Sequence, residues 1–207
     1  MTGWVVVVPV KPAARGKSRL DVPGVVRTAL VRAIALDTIA AAQACALVDQ
    51  VVVVSDDGDL VLAALDIPGL RFVPESEPRG LNAAVTSGFA GFENHPRAAL
   101  LGDLPALLPE DLEAALTAAG TVDRGVVADA EGTGSTMVTV AAGLEWASAF
   151  GEGSFARHVS LGCTPLAVPD ASTLRRDVDT AAQLRAAAEL GLGPRTRKVI
   201  GSAFDDA

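Results

Sequence analysis

The apolar run near the start of the chain, Trp4-Val-Val-Val-Val-Pro-Val10, constrains the fold more than any other stretch. A short run of β-branched residues without polar alternation is typical of a strand buried on both faces, as in the middle of a parallel sheet. A second such run, Gln50 to Ser55, follows a pattern of Ala, Leu and Ile at helical spacing from Val25 to Ala46. A strand, a helix and a further buried strand indicate a βαβ unit, so the sequence predicts an α/β protein.

The same alternation of short apolar runs and helical patterns continues along the first half of the chain. It predicts one mostly parallel, doubly wound sheet of Rossmann-like type. A length of 207 residues fits a single domain. We expect this domain to span residues 1–193, and the polar segment 194–207 to be a loosely ordered C-terminal tail.

Composition narrows the classes of partner. The formal net charge is −8, which argues against general binding to nucleic acid or to an anionic membrane, because both require broad positive potential. The N-terminal apolar run is too short to be a membrane span or the core of a signal peptide. Cys45 and Cys163 lie far apart, without the spacing of a metal site, and are interpreted as buried thiols. These features predict a cytoplasmic protein in a reducing compartment, and leave the oligomeric state open.

A basic loop follows the first predicted strand. Within nine residues it carries Lys11, Arg15, Lys17 and Arg19, and no acid. Ligands of open α/β sheets bind beyond the carboxyl ends of the strands, and a Gly-Lys-Ser18 step there suits phosphate through backbone N–H groups, a point charge and a hydroxyl. It is not a P-loop, since the glycine four residues earlier is missing. A basic pocket in an acidic protein favours a small anionic ligand, although a solvated basic turn is the alternative.

Three carboxylates fall where a metal ion could be held. Asp103 comes at the end of an apolar strand, and Asp177 and Asp179 are two residues apart, so that in an extended segment their side chains share a face. Such a set suits Mg²⁺, which takes a few carboxylates together with water and phosphate oxygens. Helix capping is the alternative for Asp103 and for Asp179. A basic loop combined with Mg²⁺ predicts a phosphorylated substrate, most economically a nucleoside triphosphate.

Neither histidine has a serine or cysteine partner at catalytic spacing. We interpret His158 as structural, and His95, which precedes a proline, as a surface residue. The sequence therefore predicts no protein nucleophile.

Seven segments together carry a resemblance to a known family. In chain order they are Val-Pro-Val-Lys11-Pro with Gly16-Lys17-Ser18-Arg19-Leu20, Val-Ser55-Asp56, Arg79-Gly80-Leu-Asn82-Ala-Ala, Gly102-Asp103-Leu-Pro105, Gly-Thr-Gly-Ser-Thr136, Phe150-Gly151 with Ser154-Phe and His158, and Asp177-Val-Asp179-Thr. From Trp4 to Leu190 the chain resembles the guanylyltransferases of coenzyme F-420 biosynthesis, which act on phosphoenolpyruvate or 2-phospho-L-lactate. Some segments are shared with other nucleotidyltransferases, and the combination of the first loop with Phe150-Gly151 and Ser154 is the specific part.

The resemblance implies a nucleotide-diphospho-sugar-transferase-like fold. It also implies Mg²⁺, GTP and a phosphorylated three-carbon acid as acceptor, with release of pyrophosphate. The residues implied for metal binding are Asp103, Asp177 and Asp179. Those implied for the nucleotide are Lys11, Arg15, Lys17, Ser18, Ser55 and Asn82, and those for the acceptor are Thr136, Gly151 and Ser154. Lys17 and Asp103 are the expected catalytic residues.

Two other interpretations stay open at the level of sequence. The same fold could act on molybdopterin or a sugar phosphate, although the first loop lacks the Gly-Gly start usual in the molybdenum-cofactor enzymes. A non-catalytic nucleotide-binding regulator could retain the pocket, although all three acids are present. No motif distinguishes phosphoenolpyruvate from 2-phospho-L-lactate, and composition favours phosphoenolpyruvate.

Overall fold

The computed structural model describes residues 3–13, 17, 19–75 and 80–201. The strands are β1 Trp4–Pro9, β2 Val48–Val54, β3 Leu70–Val73, β4 Arg97–Leu100, β5 Arg124–Ala128, β6 Ser135–Val140 and β7 Thr164–Pro165. The helices are α1 Arg27–Ala44, α2 Gly58–Ala63, α3 Leu81–Gly88, α4 Pro109–Ala119, α5 Ser154–Ser160, α6 Ala181–Glu189 and α7 Pro194–Ile200. A short 3-10 helix covers Thr173–Arg175.

The strands form one seven-stranded sheet in the order β3-β2-β1-β4-β6-β5-β7. Strand β1 is an interior strand and pairs in parallel with both β2 and β4. Strand β6 runs antiparallel to β4 and to β5, whereas β5 and β7 are parallel. The predicted single-domain α/β fold with a mostly parallel sheet is confirmed. Because β6 is reversed, its start lies at the same sheet edge as the carboxyl ends of β1, β4 and β5.

Both faces of the sheet are covered, as the continuous apolar runs predict. Val6 and Val8 of β1 belong to the cluster that includes residues of α1 and α4, whereas Val5 and Val7 belong to the cluster on the α3 side. Helix α3 approaches the sheet closely at Gly88, where a Cβ atom would lie 2.7 Å from a Val7 methyl group. Cys45 and Cys163 are buried and free, as predicted. Among the described helices, none combines the length and the apolar character needed to cross a bilayer.

The expectation of a loosely ordered tail is wrong for residues 194–200, which form α7. Its first turn is anchored by the buried Asp37 of α1, whose carboxylate accepts from the backbone N–H groups of Arg195 at 3.1 Å and Thr196 at 2.7 Å. Ile200 of α7 is buried in a cluster with residues of α1. The helix is not evident from this mostly polar segment, because the carboxylate that anchors it, Asp37, lies far away in the chain.

Candidate active site

A cleft of about 390 Å³ lies at the carboxyl ends of β1 and β4. Its wall is formed by Pro9, Val10, Lys11, Lys17, Val31, Ala35, Leu81, Leu101, Gly102, Asp103 and Asp179. The floor is apolar and the charged side chains stand at the edge of the sheet, where open α/β proteins bind their ligands. The structure therefore brings Lys11 and Lys17 together with two of the predicted metal-binding acids.

Lys17 is the centre of this charged group. Its ammonium donates to Asp103 Oδ2 at 2.8 Å and to Asp179 Oδ1 at 2.9 Å, and also to the carbonyl oxygen of Val178. Burial lowers the pKa of Lys17, but the charges and hydrogen bonds of the two carboxylates outweigh it, so the pKa is raised. Lys17 therefore carries a proton and a full positive charge at neutral pH.

The backbone fixes Asp103 against the Asp177–Asp179 segment. The N–H of Val178 donates to the carbonyl oxygen of Asp103 at 3.0 Å. Leu104, the next residue, donates its N–H to the buried hydroxyl of Thr38 on α1 at 3.0 Å. These bonds hold the loop after β4 between α1 and the start of α6, so that acids separated by more than seventy positions meet at one place.

Asp177 faces a second group of acids. Carboxylate oxygens of Asp129, Glu131 and Asp177 all lie within 4.8 Å of one another. Burial raises the pKa of Asp177 to about 7, and the negative charges of Asp103, Asp129, Glu131 and Asp179 add to the effect. Such crowding of negative charge is costly without a cation.

Asp129 and Glu131 were not predicted, although Asp129 directly follows an apolar strand as an acid of the site would. Asp129 accepts from the N–H groups of Thr133 at 2.9 Å and Gly134 at 2.7 Å, which closes the turn between β5 and β6. Glu131 accepts from Gln183 Nε2 at 3.1 Å, and Gln183 Oε1 accepts from the Asp179 N–H at 2.9 Å. The turn thus supports the start of α6 as well as supplying carboxylates.

Of the predicted trio Asp103, Asp177 and Asp179, Asp177 lies with Asp129 and Glu131 in a group close enough to share a metal ion, whereas Asp103 and Asp179 are paired with Lys17. Within the described part of the chain, the buried Oδ1 atoms of Asp103 and Asp177 lack a hydrogen-bond partner. Buried carboxylate oxygens are normally paired, and a bound cation would satisfy both. The acidic residues of this site could therefore hold a metal, and the trio stays a prediction.

The basic loop is only partly described. Lys11 is exposed and lines the cleft, and the N–H of Ala13 donates to Asp57 Oδ2 at 3.1 Å, which fastens the loop to the start of α2. Burial alone would raise the pKa of Asp57, but backbone hydrogen bonds to its carboxylate outweigh this effect, so the pKa is lowered. Arg15 and Ser18 lie outside the described residues, and their assignment to the nucleotide stays a prediction.

Two other residues predicted for the nucleotide bind groups of the chain itself. The buried Ser55 hydroxyl accepts from the Asp57 N–H at 3.1 Å. The Asn82 amide bonds to Ser148 and Phe150. Asn82 lies on α3, whose first residue Leu81 lines the cleft, whereas Ser55 follows β2. The contact of either residue with a nucleotide stays a prediction.

The residues predicted for the acceptor lie on β6 and at the start of α5. Thr136 is fully buried beside Leu101, whose N–H donates to its carbonyl at 2.9 Å, and in the described chain its hydroxyl has no partner. Gly151 has φ 128°, which a residue with a side chain rarely adopts, and its carbonyl accepts from the Ser154 N–H at 3.0 Å. Contact of Thr136, Gly151 and Ser154 with an acceptor stays a prediction.

His158 binds residues of the chain close to the turn from Gly151 to Ser154. Its imidazole is fully buried, with Nδ1 3.0 Å from the Ser135 hydroxyl and Nε2 accepting from the Ala149 N–H at 2.8 Å. Burial, with the positive charge of Arg157, lowers the pKa of His158 to about 4, so the ring is neutral. The interpretation of His158 as structural is confirmed. The ring of His95 lies edge-on to Phe92, with ring centres 5.7 Å apart, and the residue is half-buried rather than fully exposed.

The model of the family described as guanylyl transferase CofC like matches residues 4–190. The chain belongs to this family. A phosphoenolpyruvate guanylyltransferase of Thermomonospora curvata is 48% identical over 198 residues, covering 93% of this chain and 86% of that protein. Further curated relatives of the same name are 40% to 46% identical. The predicted family is thereby confirmed.

Solved structures agree on the fold of this CofC-like chain. A nucleotidyl transferase from Methanothermobacter thermautotroptrophicus has a TM-score of 0.58 at 18% identity, covering 91% of this chain and 97% of its own. A 4-diphosphocytidyl-2C-methyl-D-erythritol synthase reaches 0.63 at 14% identity, with 92% and 99% covered. A Mycobacterium tuberculosis protein in complex with manganese reaches 0.52 at 22% identity, with 91% and 98% covered. The chain thus has the predicted nucleotidyltransferase fold.

Proposed function

We propose that this CofC-like chain transfers the guanylyl group of GTP to the phosphate of phosphoenolpyruvate, with release of pyrophosphate. The observation that carries the proposal is the meeting of Lys17 with Asp103 and Asp179 at the ligand edge of the sheet. The name shared by the curated relatives supports phosphoenolpyruvate as the acceptor. The resemblance supports a place in coenzyme F-420 biosynthesis and hence a cytoplasmic location.

The chemistry needs no general base. An acceptor phosphate is already ionised at neutral pH, and one of its oxygens forms a bond to the α-phosphorus of GTP. The bond from that phosphorus to the bridging oxygen breaks, and pyrophosphate leaves with the electron pair. Catalysis then consists of alignment and neutralisation of charge, which Lys17 and Lys11 can provide. The neutral, buried His158 takes no part in proton transfer.

The metal of this proposal is Mg²⁺, held by Asp103, Asp177 and Asp179. A divalent ion bound there would neutralise negative charge on the phosphate oxygens. The unpartnered Oδ1 atoms of Asp103 and Asp177 support this assignment, as does the manganese complex of the mycobacterial fold neighbour. Asp129 and Glu131 lie close enough to Asp177 to share in the metal site.

The acceptor acid is assigned to the turn at Gly151 and Ser154, beside Thr136. Backbone N–H groups of such a turn suit a carboxylate or phosphate, and the unpartnered Thr136 hydroxyl supplies one further donor. Lys11, Arg15, Lys17 and Ser18 are assigned to the triphosphate.

Pyrophosphate release tests the proposal. Purified protein with Mg²⁺ is offered GTP, ATP or CTP together with phosphoenolpyruvate, 2-phospho-L-lactate or 3-phosphoglycerate. We expect release with GTP and phosphoenolpyruvate, and none with GTP alone. Release with ATP or CTP only, or with none of the three acids, would contradict the proposal.

A further inference from the structure

We infer that Asn82 is a positioning residue for the acceptor rather than a contact to the nucleotide, an inference that rests on the function proposed above. Through its side-chain amide, α3 fixes the backbone that leads into the acceptor turn. The inference reassigns a residue that the resemblance places near the nucleoside.

The chain itself fills both acceptor positions of the Asn82 amide and uses one of its two N–H donors. Its Oδ1 accepts from the Ser148 hydroxyl at 2.9 Å and from the Phe150 N–H at 2.9 Å, while its Nδ2 donates to the Phe150 carbonyl at 3.2 Å. An amide oxygen has two lone pairs, so the acceptor capacity of Asn82 is filled. A guanine or ribose donor would have to displace one of these bonds.

The segment that Asn82 binds has no regular structure of its own. Residues 144–150, all described, run between β6 and α5 without helix or strand. Their backbone is held by side chains instead. Arg97 donates to the Leu144 carbonyl, Arg124 to the Glu145 carbonyl at 2.5 Å, and the Ala149 N–H donates to His158. Asn82 makes the last of these contacts before the turn. It binds both the N–H and the carbonyl of one residue, Phe150.

The position of Phe150 makes this contact important for the acceptor. Phe150 directly precedes Gly151, and Gly151 accepts the Ser154 N–H that closes the turn. Gly151 has a backbone conformation that depends on its neighbours to hold it, since glycine has little preference of its own. Fixing both the N–H and the carbonyl of Phe150 sets the direction in which the turn begins. Loss of the Asn82 amide therefore releases the backbone of Phe150, just before the turn, without changing any residue of the turn itself.

Asn82 also links the two halves of the site. It is the second residue of α3, and the first, Leu81, lines the cleft assigned to the nucleotide. The same short helix thus forms part of the nucleotide wall with one residue and holds the acceptor turn with the next. Positioning of this kind is effective because a displacement of about 1 Å can cost about 100-fold in rate.

The test separates the two substrates by measuring each binding constant on its own. For Asn82→Ala we expect the KM for phosphoenolpyruvate to rise by about tenfold or more, while the Kd for Mg²⁺–GTP, measured by calorimetry without acceptor, stays within about twofold. Ser148→Ala removes one of the three bonds and should raise the acceptor KM by a smaller factor. Thr86→Ala, an exposed position one turn along α3 whose hydroxyl bonds only within the helix, is the matched control and should leave both constants unchanged.

The outcomes are distinct. A raised Kd for GTP with an unchanged acceptor KM, an equal rise in both, or no change in either overturns the inference. If Asn82→Ala does not fold, Ser148→Ala decides, since an unchanged acceptor KM in that variant also overturns it. Absence of turnover in the wild-type protein with every acceptor contradicts the proposed function itself, independently of Asn82.

Discussion

Single charged residues control the proposed reaction, and Lys17 is the clearest of them. Its ammonium bridges Asp103 and Asp179, and its raised pKa keeps it charged at neutral pH. For Lys17→Met we expect turnover to fall by about 100- to 1000-fold, because a fixed charge opposite the leaving pyrophosphate is lost. Steady-state kinetics check this, with the exposed Lys198→Met as the control. A raised KM with unchanged turnover would instead show that Lys17 only binds substrate.

At Asp103, the exchange of one carboxylate oxygen for an amide nitrogen tests the proposed metal site. Asp103→Asn keeps the shape of the side chain but removes a charge from the proposed metal site, so activity should be nearly abolished. The affinity for Mn²⁺, measured by electron paramagnetic resonance, should fall by about tenfold or more. Glu189→Gln, an exposed acid at the end of α6, should change neither quantity. Wild-type Mn²⁺ affinity in Asp103→Asn would remove Asp103 from the metal site.

At the level of elements, α7 depends on one buried carboxylate. Asp37 accepts from two backbone N–H groups of its first turn, whereas the exposed Asp66 only pairs with the Arg195 side chain at 2.7 Å. Asp37→Ala should lower the free energy of unfolding by about 2–4 kcal/mol, since those N–H groups lose their partner. Asp66→Ala should cost less than about 1 kcal/mol. Urea denaturation measures both, and equal costs would contradict this role for Asp37.

The elements also show what could be predicted from sequence and what could not. Strands β1 and β2 could be predicted because a short, unbroken run of β-branched residues is typical of a strand buried on both faces of a sheet. Helix α7 was not, because the group that anchors its first turn is 158 positions away in the chain. Asp103 follows an apolar strand, so its place at the ligand edge of the sheet could be predicted, whereas a metal site shared with Asp177 and Asp179 stays a prediction. Glu131 reaches the site only through the turn that Asp129 closes, and the contacts of Asn82 depend on an irregular segment without any periodic signal.

On the scale of the whole molecule, the buried His158 couples stability to pH. Its pKa is lowered from 6.5 to about 4, so the unfolded chain binds a proton that the folded protein excludes between these values. Its contribution to stability is therefore fully present above about pH 6.5 and is lost as the pH falls towards 4. Between pH 7.5 and pH 4.5 the wild-type protein should lose about 2 kcal/mol more than His158→Gln, in urea denaturation at each pH. Parallel pH profiles would contradict a neutral imidazole in the fold.

The central claim, transfer of a guanylyl group to the phosphate of a three-carbon acid, is tested most directly by the identity of the product. Phosphorus-31 NMR of a reaction with Mg²⁺, GTP and phosphoenolpyruvate should show the phosphate monoester signal of the acid replaced by the two coupled signals of a new diphosphate linkage. Pyrophosphate should appear in equal amount. A spectrum in which GTP yields GMP and pyrophosphate while phosphoenolpyruvate stays unchanged would contradict the account, since water and not the acid would then be the acceptor.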